Sequence, residues 1–312
     1  MPAIAVLGPQ RHLPNLAQTL DALAIDGPVC AVTAGWQERE GELDELVGHI
    51  DRPCTDLRLY EAVNEAFRAD PSLFHAHRAR QDKLRLLQSL YRKRLNHAAA
   101  AAVEMLGATG DAQIVQRERR AAINTLRNLD RQHLRHIKDV HANFDQTWDP
   151  SRHPTLAPVR ERIAEEVEKA KAVLVAGGHV STLIGRLRLF GLGEIIARKP
   201  IVAWSAGAMA LSRRIVLFHD SPPQGPGYAE VLDAGLDLLP ALLPLPHARE
   251  RLRLNDPERV ALMARRFGPD PAITLDAGSR ILGDERGWQS IDACQRLHAR
   301  GTVITATMES SP

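Results

Sequence analysis

The stretch that decides the fold is "KPIVAWSAGAMALSRR", Lys199 to Arg214. An apolar run ends at Trp204, a single serine follows, and Ala206, Gly207 and Ala208 lead into a helix-like pattern. A short apolar run bounded by turn residues reads as a buried strand. The small residues make a sharp strand-to-helix turn sterically possible at Ser205. Two roles fit this serine. It can cap the helix, a favoured place for serine. It can also be a nucleophile on a tight turn, its hydroxyl projecting beside the N–H groups and positive dipole end of the helix. Ala203 stands where the G-x-S-x-G pattern has its first glycine.

The same alternation extends outward. "VLVAGGH", Val173 to His179, is a strand ending in a glycine pair, and "TLIGRLRLFGLGEIIA" reads as a helix broken near Gly191. At the N-terminus "AIAVLG" (Ala3–Gly8) and "PVCAVTAGW" (Pro28–Trp36) read as two more buried strands, with a helix around Leu13 to Ala24 between them. Strands alternating with helices predict a parallel sheet covered on both faces. "AITLDAGSRILGDERGWQSI" and "GTVITAT" add short C-terminal strands.

Between Leu57 and Trp148 the pattern changes to helix. Leu84, Leu87, Tyr91, Leu95, Ala98 and Ala102 recur at three and four residues, as do Ile123, Leu126, Asp130, His133, Ile137, His141, Phe144 and Trp148. "GATGD", Gly107 to Asp111, separates the two series. The expectation is a pair of long antiparallel helices inserted into one α/β domain: residues 1–56 and 151–312 form the α/β body and 57–150 the insertion. Residues Arg78 to Lys138 hold 14 basic and 5 acidic side chains, a local charge of +9 against −7 for the remainder. Such a surface suits solvent or an acidic partner. Aromatic residues are nearly absent there, which argues against stacking on single-stranded nucleic acid. Long amphipathic helices of this kind predict a homo-oligomer that buries the stripe.

The whole chain has 312 residues, is 44% hydrophobic and 25% charged, and carries a formal net charge of +2. That balance is ordinary for a globular protein and argues against dedicated nucleic-acid binding. No run approaches the ~20 apolar residues that span a bilayer. "MPAIAVLGPQ" lacks the features of a signal peptide. The three cysteines, Cys30, Cys54 and Cys294, form neither a disulfide framework nor a zinc pattern. A cytoplasmic location is expected.

A nucleophilic serine needs a base and a group to orient it. His219, beside Asp220 in an apparent loop, and His247, after the apolar run "LLPALLPLP", are the nearby histidines. For the acid, Asp220, Glu230, Asp233 and Asp237 all lie within range. The Ser–acid–His order also fits an α/β-hydrolase, but that fold normally sets several βα units between serine and histidine, where only 42 residues stand here.

Taken together, "VLVAGGHVSTLIGRLRLFGL", "AWSAGAMAL", Asp220 and "LPH" resemble the peptidase E and cyanophycinase family of serine peptidases. "HARERLRL" and "AITLDAGSRIL" are similar to that family's segments beyond its histidine. The resemblance covers about Ala172 to Thr307 and leaves the helical hairpin outside. It implies a flavodoxin-like three-layer sandwich with a parallel central sheet, of the class I glutamine amidotransferase type. It implies Ser205 as nucleophile, His247 as base and acid, and Asp220 orienting the imidazole. The Gly178 and Ala206 N–H groups would form the oxyanion hole, with Gly177 and His179 near the substrate. His179 departs from the family's Asn or Asp. The implied substrate is a small peptide or amide, with no metal or organic cofactor. A broader amidase or esterase, and a noncatalytic assembly protein using the basic hairpin, are the competing functions.

Overall fold

A computed structural model describes residues 3–223, 227–284 and 286–307. In chain order the elements begin with β1 (Ile4–Leu7), α1 (Leu16–Ala22), β2 (Val29–Val32), α2 (Asp44–Ile50) and β3 (Cys54–Asp56). The helical segment is α3 (Leu59–Ala69), α4 (Pro71–Gly107), α5 (Ala112–Trp148) and α6 (Ala157–Lys169). Then come β4 (Ala172–Val175), α7 (Val180–Leu189), α8 (Leu192–Ile196), β5 (Ile201–Trp204) and α9 (Ala206–Leu211). The rest is β6 (Arg214–Leu217), β7 (Glu230–Ala234), β8 (Leu243–Pro246), α10 (Ala248–Arg251), α11 (Pro257–Phe267) and β9 (Ala272–Leu275). The last strands are β10 (Arg280–Asp284), β11 (Gly287–Asp292), β12 (Gln295–Leu297) and β13 (Val303–Thr305).

The central sheet has the order β11-β10-β1-β5-β4-β2-β3. Its five strands from β1 to β3 are parallel, and β10 and β11 add an antiparallel edge. Strands β1, β2, β4 and β5 are buried at every residue. Alternate residues serve opposite faces, as the strand period of two requires. Ala5, Leu7, Ala31, Leu174 and Val202 pack with Leu16 and Leu20 of α1 and Leu46 and Ile50 of α2. Ile4, Val6, Val32, Val173, Val175 and Ala203 join the larger core that includes α6, α7 and α9. This is the expected flavodoxin-like three-layer arrangement. A second sheet, β13-β12-β9-β8, and the β6–β7 hairpin complete the body. The β6–β7 hairpin and the short β3 had no clear sequence signal.

The two long helices lie where the periodicity put them, joined across 108–111, with Asp111 capping α5 through the N–H groups of Gln113 and Ile114. Asp70 caps α4 in the same way and breaks it from α3. Much of their stripe is covered within the chain, while Leu84, Leu87, Ala98 and Trp148 are half-buried. Tyr91, Leu95, Ala99 and Ala102 of α4 and Ile123, Leu126, Ile137 and Phe144 of α5 are buried. Leu86 and Leu90 of α4 and Ile114 of α5 remain exposed. The polar members of the stripe are buried too. Arg266 of α11 meets Asp130 with two hydrogen bonds of 2.7 Å, and Tyr91 Oη donates to the same carboxylate at 2.8 Å. The His133 ring stacks on Tyr91 at 3.9 Å between centroids, and burial pushes its pKa down to about 4. His141 bonds Asp233 of β7 at 3.1 Å.

The Asp130–Arg266 pair is thus the polar clamp between hairpin and body. Removing one partner strands a buried charge. Asp130→Asn should lower stability by about 3–5 kcal/mol, read as a matching fall in the urea midpoint. A loss below about 1 kcal/mol would show that the clamp is not needed.

No helix among the described residues is long and apolar enough to cross a membrane. All three cysteines are free.

Candidate active site

In a parallel sheet every strand delivers its carboxyl end to the same edge, and ligands collect where the strand order reverses. Here a cavity of about 510 Å³ opens at that edge. It is lined by Pro9, Gln10 and Arg11 after β1, Gly35 and Trp36 after β2, Gly177 and Gly178 after β4, Ser205 after β5, and His247 after β8. Arg39, Glu42, Glu45 and His49 form one charged wall, and Arg251 stands near His247.

Ser205 has φ 51° and ψ −121°, a backbone region that L-residues rarely occupy. Its side chain makes no cap hydrogen bond to α9. The capping role is therefore not the one this serine plays. The turn is held by its neighbours. Ser205 N–H donates to Leu7 C=O at 3.4 Å, and Ala203 pairs with Val6 and Val175 on either side. Gly207 follows because α9 begins hard against β4: a Cβ there would lie 2.1 Å from Val175 O. Ala206, as the first residue of α9, has an N–H with no intrahelical acceptor.

The glycine pair fits the same spot. A Cβ on Gly177 would lie 2.8 Å from Ser205 Cβ, and Gly178 has φ 115°. Only glycine suits both positions. The residue after them does something else. His179 is exposed, caps α7 by accepting from Thr182 N–H at 3.2 Å, and does not line the cavity.

His247 follows β8 with φ 57°, anchored by its N–H to Leu275 C=O at 3.2 Å. Its Nδ1 is 3.5 Å from the exposed Glu250 carboxylate. Burial, then the neighbouring Arg251, pull its pKa below the ordinary value. Ser205 and His247 share the cavity, though no hydrogen bond joins them among the described residues. Such bonds are often loose before substrate binds.

Asp220 is not brought to His247. Its carboxylate accepts from Arg253 N–H at 2.7 Å and from Arg259 at 2.7 Å, and its own N–H donates to Arg251 C=O. It fastens the segment beyond α10 and does not touch the imidazole. The other acids considered are also engaged elsewhere: Glu230 with Gln88 and Arg92, Asp233 with His141 and Arg188, Asp237 with Arg213. The residue that sequence reasoning missed is Asp276, directly after β9. Strands β8 and β9 run parallel with Pro246 opposite Leu275, so His247 and Asp276 leave the sheet side by side. Asp276 Oδ1 accepts from Arg249 N–H at 3.1 Å, and its buried Oδ2 makes no hydrogen bond but lies 3.5 Å from Nε of the exposed Arg249 side chain. The spacing that would reveal it is a pairing of strands, which no local motif records. Among the described residues no group of three or more His, Cys, Asp or Glu could hold a metal ion.

Two outcomes follow from this geometry. Relief of strain of about 1–3 kcal/mol at Ser205 outweighs the added unfolded-chain freedom of glycine, about 0.4–1 kcal/mol. Ser205→Gly should therefore raise the thermal midpoint; an unchanged or lower midpoint would mean the turn is relaxed. A base must be neutral to act, and the His247 pKa is depressed. The acid limb of kcat/KM should fall below pH 6.5 and move upward in Arg251→Met, which removes a nearby positive charge. A limb above 6.5 would contradict the role of His247.

The chain is similar, at 12% identity, to a solved structure described as a peptidase from an acI-B1 Actinobacterium. The likeness covers 99% of this chain and 96% of that one, with a TM-score of 0.46. Comparison with curated proteins gives no match. The model of peptidase family S51 matches residues 130–291, just over half of the chain. That span starts inside α5 and takes in the glycine pair, the serine turn, His247 and Asp276. The chain belongs to peptidase family S51.

Proposed function

We propose that this protein is a serine peptidase of the peptidase E type, cleaving short peptides through an acyl-enzyme. The observation that carries the proposal is the strained Ser205 turn lining one cavity with His247 and the glycine pair. Ser205 Oγ attacks the scissile carbonyl carbon while His247 takes its proton. The oxyanion is held by the N–H groups of Gly178 and Ala206. Collapse breaks the C–N bond, and His247 returns the proton to the leaving amine. Water, deprotonated by the same imidazole, then releases the acid and restores Ser205.

The third member in this reading is Asp276 in place of Asp220. A turn of the His247 ring away from exposed Glu250 would bring Nδ1 to Asp276 Oδ2, whose one charged contact is the exposed Arg249 at 3.5 Å. Asp220 serves indirectly, by fastening the chain that follows His247 and Arg251. Gly177 contributes close approach of substrate to Ser205. The cavity volume suits a ligand of small-molecule or short-peptide size. Arg11 and Arg251 offer charge to a carboxylate, and Glu45 to an amine. Nothing in this chemistry requires a metal or organic cofactor.

A fluorophosphonate probe should label the wild type and fail on Ser205→Ala, with peptide or activated-ester hydrolysis falling by a factor on the order of 10⁴ or more. Equal labelling of both would remove Ser205 from the mechanism. Asp276→Asn should lower kcat by about 10²–10⁴, whereas Asp220→Asn should act mainly on stability. The reverse pattern would return the orienting role to Asp220.

A further inference from the structure

Where α4, α5 and α7 meet β7, several buried cationic donors have no acceptor. Arg80 of α4 is 4% exposed, and its Nε has no hydrogen-bond partner. The nearest carboxylate, Asp145, is 4.0 Å away and largely in solvent, and the guanidinium lies 4.0 Å from the Phe144 ring centre. His77, nearly one turn earlier, is 9% exposed with an unpartnered Nε2. Its ring packs against Phe67 and Phe144. Arg186 of α7 also has a buried, unpartnered Nε, and its guanidinium makes no hydrogen bond or ion pair among the described residues. Its cation faces the Tyr60 ring at 5.1 Å.

The local acceptors are already in use. Asp233 takes His141, Arg188 and the Ala234 N–H. Arg188 also bonds Ala234 C=O. Three guanidiniums, Arg80, Arg186 and Arg188, stand near three carboxylates, Asp233, Asp145 and Glu40. Glu40 is taken by the Tyr60 and Glu61 N–H groups, so the formal charges balance while the Nε donors of Arg80 and Arg186 are left without an acceptor. Burial pushes Arg80 down only to about 10, so it stays charged at neutral pH. Burial and the nearby arginines push His77 down to about 3, leaving a neutral imidazole that can donate from Nε2. Buried polar groups are almost always paired, and an unpaired buried donor calls for a partner.

We propose that this junction binds a small oxyanion, a phosphate or a carboxylate, between Arg80, Arg186 and His77. Guanidinium groups match such anions with directed, charge-assisted hydrogen bonds. The neutral imidazole supplies a further donor without adding charge. The anion would complete the contact between the hairpin and α7, the helix that starts just beyond the glycine pair. The proposal is independent of the serine chemistry.

The test uses the full chain, with inorganic phosphate and acetate as probes and chloride at matched ionic strength as the reference. Phosphate or acetate should raise the thermal midpoint saturably beyond chloride and give measurable binding heat. Phosphate alone or acetate alone would each support the site and identify its ligand chemistry. Affinity should weaken about tenfold or more in Arg186→Gln and Arg80→Met and stay unchanged in Ser205→Ala, which separates this junction from the cavity. Arg186 is only partly buried, so its variant should fold even if the Arg80 variant does not. No saturable response beyond chloride, or an unchanged response in Arg186→Gln, would overturn the proposal.

Discussion

Strand β5 lies between β1 and β4, paired in parallel with both. Because both neighbours hold it in register, the chain has no freedom to relax as it leaves the sheet at Trp204. The next residue must turn at once into α9, and Ser205 takes up the backbone strain. The same parallel constraint brings the ends of β1, β2 and β4 to this edge, and with them the loops that wall the cavity. A relaxed serine would sit in a cap, with its hydroxyl spent on the helix. The clamped strand instead leaves the hydroxyl free beside the glycine pair.

The histidine reaches the site by a second use of the same device. Strand β8 belongs to the smaller sheet, and its parallel partner β9 fixes where His247 emerges. The pairing also sets Asp276 next to it. Asp220, about as far from His247 in sequence as Asp276, is drawn away by Arg259 and the Arg253 N–H. A carboxylate goes where its strongest donors stand, here two short charge-assisted contacts. His179 shows the same logic on a smaller scale, its ring taken by the first turn of α7.

The helical hairpin answers to different physics. Its apolar periodicity alone would let it pack against anything greasy. The buried Asp130–Arg266–Tyr91 cluster gives it one address on its own body. Buried charges contribute more to choosing a partner than to net stability when they are fully paired. The +9 charge of the hairpin region is partly answered by such contacts, as in Arg92 with Glu230. At the Arg80–Arg186 junction the buried Nε donors are left without acceptors.

Much was legible in the sequence because it was local. The alternation of buried strands and helices, the turn at 108–111, the break near Gly191 and the serine turn each follow from a few neighbouring residues. The periodic stripe even marked Asp130, His133 and His141 as inward-facing, without saying why polar groups should be there. What only the tertiary structure decided were the contacts between distant segments. Arg266 meets Asp130 across 136 residues, and Asp276 stands beside His247 through strand pairing. A local pattern fixes which face of an element is apolar, since that depends on the repeat of the helix or strand. Which charge meets which depends on how the elements dock, and docking is set by the shape of the whole core.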